Sequence, residues 1–126
     1  MTINDEQFDD IIAVAMDELP KRYIERLSNV AITYADEPTE EQRQRLKLRC
    51  DQTLFGLYEG IPLTKRGAGY NLVLPDKITI FKHPLIAASQ DLAELKRRTK
   101  HTLWHEIAHY YGLDHDRIHQ LEAKMS

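Results

Sequence analysis

Residues 102–119 read "TLWHEIAHYYGLDHDRIH", and their spacing decides how the rest of the chain is read. His105 and His109 are four residues apart, which on a helix of about 3.6 residues per turn stacks them on one face. Glu106 falls at the edge of that face. Leu92, Thr99, Leu103, Ile107 and Tyr110 fall on the other side, so the segment has an apolar back to bury and an imidazole-bearing front. Gly112 follows, suited to the left-handed conformation that ends many helices. A chain that turns there can bring His115 toward the other two imidazoles.

Three imidazoles about one point make the ligand set of a catalytic zinc ion, with a fourth position left for water. Zinc lowers the pKa of that water to about 7, and a neighbouring carboxylate can then take its proton. The expected roles are Zn2+ ligation by His105, His109 and His115, with Glu106 as the general base of peptide-bond hydrolysis. H-E-x-x-H alone is a modest signal. Gly112 and His115 at their distances make it a strong one. The rival explanation is a histidine-rich helix, since five of the six histidines lie in the last 26 residues.

Working outward, "NDEQFDDIIAVAMDELP" predicts an amphipathic helix, with Phe8, Ile11, Ile12, Ala15 and Leu19 at helical spacing and Pro20 at its end. "NVAITYADEP" alternates from Val30 to Ala35 and reads as a strand stopped by Pro38. "TEEQRQRLKLRC" opens like a capping box, Thr39 with Gln42, and reads as a short surface helix or a mobile loop. "TLFGLYEG" is a second strand candidate, and "IPLTKRGAGYN" has the composition of a flexible loop. "LVLPDKITIF" reads as a hairpin turning at Pro75-Asp76. After His83-Pro84, with His83 taken as a strand-end residue, one long helical stretch runs to Gly112. The whole, residues 1–126, reads as one α+β domain.

Composition fits an ordinary globular protein, at 42% hydrophobic and 29% charged. A net charge of -3 argues against nucleic acid or an anionic membrane as partner. No apolar run reaches membrane-spanning length, the N-terminus lacks a secretory pattern, and Cys50 stands alone, so a cytoplasmic setting is expected. Cys50 itself reads as an idle thiol. "KRRTKH", residues 96–101, reads as a solvated helix face, although Arg98 falls on the side facing the site, where it could meet a substrate carboxylate. His101 reads as a partly solvated residue near the cleft and His119 as a surface one. Tyr110 reads as core.

The segment "HEIAHYYGLDH" (105–115) looks like a metzincin-type zinc segment. Together with "FDDIIAVAMDELP" (8–20), "NVAITYADEP" (29–38) and "LFGLYEGIPLTKRG" (54–67), it makes nearly the whole chain resemble the small bacterial zincin-like, "minimal" metallopeptidases. That resemblance implies a zincin-like fold: a small mixed sheet packed on a long zinc-binding helix, with an edge strand beside the cleft. It implies zinc at His105, His109 and His115, Glu106 as base, and a peptide or protein substrate. An extended peptide would add to the edge strand, with Glu59 and the loop after it bordering the cleft. Family members often carry aspartate where this chain has His115, which makes Asp114 or Asp116 the alternatives. The only candidate for the methionine turn of larger metzincins is Met125. A zinc-binding module that acts through a partner with little turnover is the other function such a chain could serve.

Overall fold

The computed structural model describes residues 1–45, 54–61 and 76–125. Helix α1 (Asp5–Glu18) starts at a capping box: Gln7 N–H donates to Asn4 Oδ1 at 2.8 Å, and Asn4 N–H donates to Gln7 Oε1 at 2.9 Å. Its Phe8, Ile11, Ile12 and Ala15 are buried, as the helical spacing requires, and Leu19 closes the same face. A short helix not foreseen from the sequence, α2 (Lys21–Glu25), follows Pro20. Pro20 ends one helix and its carbonyl starts the next, accepting from Tyr23 N–H at 3.0 Å.

Strand β1 (Val30–Ala35) matches the alternation read from "VAITYA". Of the two readings of 39–50, the helix is the one observed over the described part, residues 46–50 lying outside it: α3 (Glu40–Arg45) is capped by Thr39 and Gln42, each donating its N–H to the other's side-chain oxygen, at 2.9 and 3.1 Å. Strand β2 (Gly56–Glu59) lies within "TLFGLYEG". The expected loop at 61–71 lies, beyond Ile61, outside the described residues, as do Cys50 and the first arm of the expected hairpin. Asp76 is not a turn residue. It opens strand β3 (Asp76–Phe81) and is 3% exposed.

The sheet has the order β1-β3-β2. β3, apolar at Ile78, Ile80 and Phe81, takes the centre, with β1 parallel on one side and β2 antiparallel on the other. β2 is therefore an edge among the described residues.

The long helical stretch divides into α4 (Lys82–Ala88) and α5 (Leu92–Tyr111). Ser89 Oγ–H donates to Leu85 O at 2.7 Å, and Asp91 caps α5 by accepting from Glu94 N–H at 2.8 Å, so the break has a cap on each side. His83 is accordingly in the first turn of α4, and Leu92, at the solvent end of α5, is 45% exposed instead of packed. The rest of the predicted back holds: Thr99, Leu103, Ile107 and Tyr110 are buried, and Leu95 and Trp104, not named from the sequence, join them at 0% exposure. This face meets α1 and the sheet, so α5 is the element around which the core assembles. A last helix, α6 (His115–Met125), follows after three residues.

Candidate metal centre

On the opposite face of α5, His105 and His109 lie with ring centroids 4.6 Å apart, and Glu106, between them in sequence, is 7% exposed. Ligand-type atoms of His105, Glu106 and His109 all fall within 4.8 Å of one another. Two imidazoles and a carboxylate gathered so closely at a half-buried surface form a donor set that suits a borderline-soft divalent ion such as zinc.

Two polar contacts of Glu106 explain its place. Its Oε1 accepts from the backbone N–H of Tyr58 at 2.9 Å, the outward-pointing donor of edge strand β2. The same oxygen is 3.3 Å from His109 Nδ1. By accepting a hydrogen bond from that imidazole N–H, Glu106 raises the His109 pKa above its ordinary 6.5; burial opposes the shift and the glutamate's charge adds to it.

β2 can reach Glu106 because Gly56 lets it lie against α5. A Cβ at Gly56 would come 2.6 Å from Thr102 Cγ2, closer than atoms tolerate. Behind the strand, Tyr58 O–H donates to the buried Asp76 Oδ2 at 2.6 Å, and the Tyr58 ring meets Tyr110 edge-on at 6.2 Å. Sequence reasoning missed both Tyr58 and Asp76 as parts of the site. An acidic residue at the head of an apolar strand was the available signal for Asp76.

The glycine exit is as expected. Gly112 takes φ 74° and ψ 26°, its N–H donates to His109 O at 3.0 Å, and Leu113 N–H donates to Ala108 O at 3.1 Å. This Schellman-type closure reverses the chain, and Asp114 Oδ1 then accepts from Arg117 N–H at 2.8 Å to cap α6. Asp114 thus has a structural use, and Asp116 is exposed. His115 is the first residue of α6; its side chain, like that of Met125, lies outside the described residues. His101 is half-buried beside His105, His119 is exposed on α6, and Tyr111 donates its hydroxyl proton to Tyr23 O in the aromatic cluster with Trp104.

Paired imidazoles one helical turn apart, a carboxylate between them and an antiparallel edge strand thus come together on one face of α5. Residues 27–125 match the zincin-like metallopeptidase family, and the chain belongs to it. Its α+β architecture, a three-stranded mixed sheet against a 20-residue helix, is zincin-like. No curated protein matches the chain. No helix among the described residues is long and apolar enough to cross a membrane.

Proposed function

We propose that the protein is a zinc-dependent peptidase, with His105, His109 and His115 as metal ligands and Glu106 as general base. The supporting observation is the grip on Glu106: Tyr58 N–H and His109 Nδ1 hold one carboxylate oxygen beside the two imidazoles. When bound, zinc would supply a Lewis acid that makes water a nucleophile near neutral pH and polarises the scissile carbonyl. Glu106 takes a proton from the attacking water and returns it to the departing amine. Gly112 turns the chain so that His115 can approach from α6. β2 accepts the substrate as an added strand, and its backbone sets the distance between peptide and base.

The test pairs metal analysis with a peptide-library digest. Wild-type protein should hold stoichiometric zinc and cut peptides. His109→Ala should lose the metal, and Glu106→Gln should keep it while cleavage falls by about 10²–10⁴-fold. Zinc retained by wild type and Glu106→Gln, with no cleavage by either, would sink the peptidase reading and leave a zinc-binding module.

A further inference from the structure

Beside the metal centre lie two hollows on the same side of α5. One, about 360 Å³, is lined by Phe55, Gly56, Thr102, His105 and Glu106 among others. The next, about 280 Å³, is lined by Phe55, Arg97, Arg98, His101 and Thr102. They share Phe55, His101 and Thr102, so together they form one trough that runs from the candidate base toward the start of α5. Its chemistry changes along the way, from imidazole and carboxylate at one end to guanidinium at the other.

Arg98 and His105 are seven residues apart, two turns along one stripe of the helix, so they stand about 10 Å apart along its axis. An extended peptide advances about 3.3 Å per residue, and three residues cover that span. The guanidinium is pre-aimed: Arg98 Nε donates to Glu94 Oε1 at 3.1 Å, and Glu94, 19% exposed, is fixed within the first turn after the Asp91 cap. The two terminal amino groups of Arg98 make no hydrogen bond among the described residues. They form the forked edge that binds a carboxylate through two parallel bonds. Arg97 also lines the hollow, so one glutamate faces two guanidinium groups and the positive charge there is not cancelled.

The strand gives the direction. β2 runs the same way as α5, since Gly56 lies against Thr102 and Tyr58 against Glu106. A peptide pairing antiparallel to β2, the more stable arrangement, therefore points its C-terminal end toward Phe55 and Arg98.

We propose that Arg98 receives a substrate carboxylate located three residues to the C-terminal side of the scissile bond, which makes it a specificity-determining residue. The carboxylate is either a free chain end or an internal Asp or Glu side chain. This inference rests on the peptidase reading, and its test is arranged to separate the two.

Zinc-loaded protein is given two random peptide libraries that differ only in a free acid or an amide at the C terminus, and cleavage positions are read by mass spectrometry. Wild type should cut preferentially three residues before a carboxylate. Enrichment at free ends identifies the chain terminus, whereas enrichment before internal Asp or Glu in the amide library identifies the side chain. Arg98→Gln should lose about tenfold in kcat/KM on carboxylate-bearing peptides only, and Lys96→Gln, outside the trough, should lose nothing. Arg98→Lys, charged but without the fork, should fall between. Cleavage by wild type without positional bias, or bias unchanged in Arg98→Gln, overturns the proposal. If neither library is cut, retention of the same libraries on immobilised zinc-loaded Glu106→Gln protein decides. Retention of carboxylate peptides that Arg98→Gln abolishes supports the site while the turnover reading fails; equal retention overturns the site as well.

Discussion

On the back of α5, Leu95, Thr99, Leu103 and Ile107 are 0% exposed and pack against α1 and the sheet, whereas on the front His101, His105 and His109 are half-buried among polar neighbours. The same backbone carries both, yet the two faces answer to different physics. The back is held by dry contact, where any lost volume is felt. The front is held by a few directed bonds, and its main neighbour, β2, approaches through a glycine and a backbone N–H. A helix anchored on one side can present chemistry on the other without moving.

This contrast can be broken at several points. The largest effect is expected at Trp104, fully buried and edge-on to Tyr23 at 5.0 Å. Trp104→Ala should destabilise the fold by about 3–5 kcal/mol in denaturant titration. A loss under 1 kcal/mol would mean the back is not the anchor. Next comes Gly56→Ala, which sets a methyl group against Thr102. It should cost about 1–3 kcal/mol and lower cleavage together with stability, because β2 is displaced from Glu106. Activity unchanged at reduced stability would show that the strand does not position the base.

The smallest effect is electrostatic. In the metal-free protein His109 should titrate above 6.5, by NMR, and move back toward 6.5 in Glu106→Gln. A folded pKa raised in this way contributes stability that is fully present below pH 6.5 and fades as pH rises through the folded value. The side chain is 37% exposed, so that contribution is small. An unmoved His109 resonance in Glu106→Gln would show that the two do not interact in solution.

The cluster of His105, Glu106 and His109 was legible because its signal is local. Positions 105, 106 and 109 share a helix, and 3.6 residues per turn fixes which side chains meet. Gly112 was legible for the same reason, since a left-handed exit is a property of one residue. Less visible was the break at Ser89–Asp91, where apolar residues at Leu85, Leu92 and Leu95 continue a helical period across two caps. The strand order was beyond reach, because β1 and β3 pair in parallel from positions 46 residues apart, as Val30 opposite Asp76 shows. Pro75-Asp76 has the sequence of a turn because proline precedes the acid; burial against Tyr58 and Gly60 gives Asp76 a different use.

The bond from Tyr58 to Glu106 comes from the main chain. Nineteen of the genetically encoded side chains at position 58 would leave that amide in place, and only proline removes it. Sequence drift along this strand can therefore reshape what the protein prefers to bind while the hold on its proton acceptor passes unaltered from one variant to the next.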